Sequence, residues 1–223
     1  MLIRTVYIVK VKLKYLTKRG KSLRNLKRTK KLILTSMTVA LSLMAATASA
    51  DTGTAHIKIG SISGGASSIT YWVDSSVASY GQNGGVDNAI SKWDAASSGI
   101  SFSSASSSTA KLKVYAGEYS LPANVYGETS YWYFNGQQIG AGAITNGQNY
   151  EVARVVIDAG WTSGWEQSER YMNAGHEIGH VLGLNHFENA PAHSGDHWMK
   201  SGKYKLTSPT ATDLAHVRTK WGW

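Results

Sequence analysis

The chain has 223 residues, no cysteine and a formal net charge of +9. That is room for one ordinary domain, and it excludes thiol catalysis, disulfides and thiolate metal sites. Residues 1–50 carry twelve Lys or Arg and no acid, leaving eleven basic against fourteen acidic side chains in 51–223, a net −3. A cationic groove for phosphates is not supported there, and nucleic acid is not an expected partner.

The leader comes first. A basic "KSLRNLKRTKK" precedes the apolar "LILTSMTVALSLMAA" and then "ASA" at 48–50. This is the order of a signal peptide, and the apolar run falls short of the ~20 residues of a permanent membrane span. Residues 1–50 are therefore expected to be removed after Ala50. The remainder, 51–223, is expected to be secreted, monomeric and without stable membrane association. An exported chain of this size buries a core without disulfides and fits a bacterial surface or medium.

Gly, Ser, Asn and Thr are abundant, and eight Trp and twelve Tyr supply bulk. Short strands with polar loops follow from that composition. "SSITYWVDSS" (67–76) is β-branched and aromatic and reads as a strand, and "VDNAISKWDAAS" (86–97) places Val86, Ala89, Ile90 and Trp93 at helical spacing. "GISFSSAS", "AKLKVYAG", "TSYWYFNG" and "ARVVIDAG" are further strands. The run "VVI" in the last predicts a central strand covered on both faces. "SERYMNAGHEIGHVLGL" is a helix with Tyr171, Ala174, Ile178, Val181 and Leu182 on one side. "SPTATDLAHVRTKWG" is a terminal helix with Thr210 and Asp213 as a capping pair and Gly222 as its stop. The sum is one α+β domain over 51–223.

The chemistry concentrates in "HEIGHVLGLNH" (176–186), which holds three of the seven histidines. Residues four apart share a helix face, so His176 and His180 point the same way about 6 Å apart and can grip one Zn²⁺. Glu177 lies at the same rim, placed to take a proton from a water activated there. Gly183 allows a left-handed turn that ends the helix, and the reversed chain can return His186 as third ligand. A bare histidine-rich helix end has no use for Gly183 and His186.

This segment resembles the extended zinc motif of the metzincin metallopeptidases, HExxHxxGxxH. Met199, in "HWMKSG" thirteen residues after His186, is similar in position to the methionine turn of that family. "ITYWVDSS", "AISKWDAASSGISF" and "KLTSPTATDLAHVRTKWG" are similar in order and character to the first strand, first helix and last helix of its bacterial matrixin-like branch. The resemblance covers most of 56–223. It implies a twisted, mostly parallel five-stranded sheet with three helices and a small irregular C-terminal subdomain, with zinc in the cleft between. It also implies an edge strand near 126–133 that receives an extended peptide. The implied activity is endopeptidase hydrolysis of a protein or peptide, with His176, His180 and His186 on one zinc and Glu177 as general base.

The chain departs from that pattern in places. Phe187 follows the third histidine. Ser201 stands two after Met199 where related branches place a tyrosine, and Tyr204 is the candidate to wall a substrate pocket instead. No second histidine set is apparent, and His193 and His197 read as loop residues. Calcium is an option at Asp-bearing loops such as "DNA" and "DAG", although their carboxylates are too sparse to form a recognisable site. The paired aromatics of "SYWYFNG" and "GWTSGW" suit either core and loop packing or a platform for sugars or extended peptides. The competing class is a non-catalytic cell-surface or glycan-binding module on the same fold.

Overall fold

Buried and half-buried residues alternate along 112–117 and 153–157, and that alternation sets the two faces of the sheet. The computed structural model describes residues 54–223, which lie in the unit Ala48–Trp223. The expected leader and the cleavage expected after Ala50 lie outside the described residues. Six strands form one sheet: β1 (Ile69–Val73), β2 (Phe102–Ser104), β3 (Leu112–Gly117), β4 (Gly127–Trp132), β5 (Gln138–Ile139) and β6 (Val152–Asp158), in the order β2-β1-β3-β6-β4-β5. β2, β1, β3 and β6 are parallel, β4 is antiparallel to β6, and β5 is antiparallel to β4.

The described α-helices are α1 (Ser75–Ser79), α2 (Asn83–Asp94), α3 (Ala141–Thr145), α4 (Ala159–Thr162), α5 (Gln167–Val181) and α6 (Ala211–Trp221). The architecture is mixed α/β, with a mostly parallel sheet. Two expectations are corrected. The sheet has six strands, not five, because Asn135 and Gly136 (φ 86°) turn the chain into a hairpin whose return strand, β5, is two residues long. An Asn-Gly turn is a hairpin signal, but two residues carry no period to read. Three further helices stand beside the expected three; α1 and α4 are single turns capped by Asp74 and Asp158, too short for a helical period to show.

The inner face of the sheet carries Leu112, Val114, Val155 and Ile157, all buried, and α2 and α5 pack on that side. Trp93 of α2 anchors the contact, its ring Nε1–H donating to the Gly175 carbonyl of α5 at 2.9 Å. β6 is central in position but not covered equally on both faces: Arg154 and Val156 are half-buried. The Arg154 guanidinium lies 4.1 Å from the centre of the Trp132 ring, and Trp72 meets Tyr115 edge-on at 5.6 Å, so amphipathic side chains shield this outer face. The aromatic clusters thus divide. Tyr131 is buried inward, Trp132 covers the outer face, and Trp165 packs edge-on against Tyr126 at 4.6 Å.

α5 opens with a capping box of Glu166 and Glu169, and α6 opens with the expected one of Thr210 and Asp213 and stops at Gly222 in the left-handed conformation. Between them residues 185–210 contain no helix or strand, the irregular segment expected on the C-terminal side. No helix among the described residues is long and apolar enough to cross a membrane.

Candidate metal centre and cleft

α5 delivers His176, Glu177 and His180, then ends at Val181 with Leu182 as its cap. Gly183 has φ 89°, a conformation glycine adopts without penalty. The chain leaves the helix there and is caught by the segment before β1. Lys58 N–H donates to the Gly183 carbonyl at 2.8 Å, Asn185 N–H donates to the His56 carbonyl at 2.8 Å, and Ile57 bridges Leu184 antiparallel. That pairing aims His186 back at the helix.

The three Nε2 atoms form a nearly equilateral triangle: 3.2 Å from His176 to His180, 3.2 Å from His176 to His186, and 3.1 Å from His180 to His186. The edge expected for imidazoles tetrahedral about zinc is about 3.3 Å. Backbone carbonyls set the ring orientation. His176 Nδ1–H donates to Trp198 O at 2.7 Å and His180 Nδ1–H to Leu184 O at 2.8 Å, which leaves both Nε2 lone pairs facing the centre. Burial holds His176 down to about 3, with His186 adding to the effect; it also holds His180 well below and His186 below the ordinary imidazole value. Three neutral imidazoles aiming lone pairs at one point repel unless a cation lies between them, so the donor set fits a divalent metal of the zinc kind.

Glu177 is 4 % exposed. Burial pushes its carboxyl up to about 7, against the opposing pull of the Thr129 hydroxyl and the Lys58 ammonium. The Thr129 hydroxyl lies 2.7 Å from Glu177 Oε2 and 2.9 Å from the Glu177 carbonyl, and so locks the carboxylate to its own helix. β4 is placed for this by its period of two. Gly127, Thr129 and Tyr131 face α5: a Cβ on Gly127 would lie 2.9 Å from the Glu177 carboxylate, and the Tyr131 hydroxyl is 3.4 Å from the His180 carbonyl. β5 pairs only with Tyr131 and Trp132, so the first part of β4 keeps a free edge over the cleft. The cleft encloses about 1000 Å³, its open mouth included, and Lys200, Ser201 and Gly202 line it beside the histidines.

Met199 is fully buried beneath α5. Gly175 and Gly179 make room, because a Cβ at either would overlap Trp198 or Met199 respectively. The Trp198–Met199 turn hangs from Asp213, whose carboxylate accepts both backbone N–H groups at 3.1 Å and also that of Thr210 at 2.7 Å. Asp213 therefore caps α6 and positions the carbonyl that orients His176. Tyr204 is not among the residues lining the cleft. It packs at the edge of the core with its ring beside Gly202.

Sequence reasoning missed Lys58, Thr129 and the second role of Asp213. Lys58 is 4 % exposed; its ammonium donates to Leu184 O at 2.7 Å and lies 3.1 Å from His180 Nδ1. Burial brings it down to about 7. Nothing local distinguishes this lysine, because its burial depends on contacts across more than 120 residues. A second histidine set also exists, contrary to expectation: His56, His193 and His216 gather behind Phe187. His197 stays a loop residue, held by Thr210 and Ser194.

No protein-family model matches the chain, and no curated protein does. Among solved structures it is similar to the crystal structure of myroilysin, at 16% identity over 77% of this chain and 87% of that one, with a TM-score of 0.42. A second structure of myroilysin gives 14%, 70%, 92% and 0.37. The GM1-bound form of the ECX AB5 holotoxin gives 15%, 74%, 78% and 0.37. At this degree of similarity nothing about activity transfers, and the chemistry of the cleft is read from its own side chains.

Proposed function

We propose that the chain is a secreted zinc-dependent endopeptidase of metzincin type, of the matrixin-like branch, acting as a monomer on protein or peptide substrates. The observation that carries this reading is the triangle of three Nε2 atoms beside a buried carboxylate, beneath a strand with a free edge. His176, His180 and His186 would hold the zinc. When bound, it would supply Lewis acidity, polarising a carbonyl and lowering the pKa of a water towards neutrality.

The protein's own groups do the rest. An extended peptide adds along the free edge of β4, where backbone groups of Gly127–Ser130 are available for pairing. Glu177, with a pKa near neutrality, accepts a proton from the attacking water and returns it to the leaving amine nitrogen as the C–N bond breaks. Thr129 keeps the carboxylate on station.

The test is Glu177→Gln, assayed on casein with zinc content measured in parallel. Loss of about 10²–10⁴-fold in kcat/KM with zinc retained is expected. Unchanged hydrolysis sinks the mechanism, and absence of hydrolysis by the parent protein leaves the cleft as a binding surface.

A further inference from the structure

His56 ends a 3₁₀ turn before β1, His193 lies in the irregular segment after His186, and His216 stands on α6. Their candidate ligand nitrogens all fall within 4.8 Å of one another. The ring centres are 4.7, 5.2 and 4.9 Å apart, against 4.7, 5.0 and 4.8 Å in the cleft triad. His193 Nε2 and His216 Nε2 are separated by 3.3 Å, close to the edge of a tetrahedral zinc site.

The outward nitrogens are tied as they are in the cleft. His216 Nδ1–H donates to Thr212 O at 2.9 Å, which leaves its Nε2 as the lone pair turned to His193. His56 Nε2–H donates to Asn189 O at 2.9 Å. The other nitrogen of His56, Nδ1, is then an acceptor; it is fully buried and has no hydrogen-bond partner. A buried lone pair with no donor is costly in a packed interior, and a cation among the three rings would relieve it. Phe187 closes the group on one side, its ring centre 5.2, 5.0 and 4.6 Å from those of His56, His193 and His216.

We propose that His56, His193 and His216 form a second metal site. Three imidazoles gathered in one place suit zinc or a similar transition metal better than calcium or magnesium, which prefer oxygen ligands. His193 is half-buried and His56 and His216 are fully buried. The site is structural. It ties the segment before β1, the chain just after His186, and α6 to one ion, and through Phe187 it steadies the turn that presents His186.

The assignment is independent of the proposed peptidase activity and is tested by counting metal. The full-length protein is stripped with chelator, reloaded with zinc, dialysed and analysed by plasma mass spectrometry. Two zinc ions per chain are expected. His193→Ala, at a half-buried position that spares the core, should retain one. The double variant His176→Ala/His180→Ala should also retain one, and zinc should raise its thermal midpoint. One zinc in the parent and none in the double variant overturns the second site and leaves the cleft reading intact. One in the parent that persists in the double variant supports the second site and sinks the cleft reading. Two zinc ions still held by His193→Ala remove that residue and with it the proposal. Circular dichroism on each variant excludes loss of fold as the cause of lost metal, and a variant that unfolds is replaced by His56→Gln with the same expected count.

Discussion

His176, His180 and His186 come from eleven consecutive residues, whereas His56, His193 and His216 lie up to 160 residues apart. Both groups end with ring centres roughly 5 Å apart. The first is built by helix period and a glycine turn, and the second by the docking of three separate segments. His186 of the cleft triad is exposed to solvent, while Phe187 packs against all three rings of the other group. The lesson is that spacing announces only the sites a chain builds locally, although tertiary packing can reach the same geometry.

Acid should act strongly on the cleft triad. In the metal-free protein His176, His180 and His186 are held below their ordinary 6.5. The folded state therefore binds fewer protons than the unfolded state between about 3 and 6.5, and stability is lost as pH falls through that window. Glu177 has the opposite sign: with its carboxyl raised from 4.5 to about 7, it costs stability as pH rises between those values. Three groups outweigh one, so thermal midpoints of the metal-free protein should fall from pH 6.5 to 4.5. Glu177→Gln should steepen the fall, and an unchanged slope contradicts the assignment.

Asp213→Ala comes next. It strips a buried carboxylate from three backbone donors and should cost about 3 kcal/mol in urea unfolding. Because Asp213 joins α6 to the turn beneath His176, zinc should bind more weakly in both triads; weakening in one alone would show that Asp213 does not couple them. Gly179→Ala acts locally, forcing a Cβ against Met199 for about 1–3 kcal/mol, and should disturb only the cleft triad. Cobalt spectra of the two sites would show it, and equal disturbance of both would count against the local reading. Thr129→Val is the mildest. Losing the hydroxyl that favours ionised Glu177 should move the acid limb of kcat/KM to higher pH, costing roughly tenfold or less at pH 6 and little at pH 8.5. A uniform loss across pH would assign Thr129 to packing.

The cluster of His176, Glu177, His180 and His186 was legible because an α-helix places residues four apart on one face whatever surrounds it, and because Gly183 tolerates the turn that recovers His186. The same holds for the Thr210–Asp213 capping box, the strand at 67–76 and the absence of thiol chemistry. Tertiary structure decided the rest. Lys58 and Thr129 reach the site only because the first segment pairs with 183–185 and β4 lies over α5. β5 is too short to show a period, Tyr204 turned to the core edge, and His56, His193 and His216 share no local spacing. Phe187, a departure from pattern in the sequence, turns out to pack against His56, His193 and His216. Local backbone geometry is written in neighbouring residues, but contacts across 100 residues depend on how whole elements pack, and no short window contains that information.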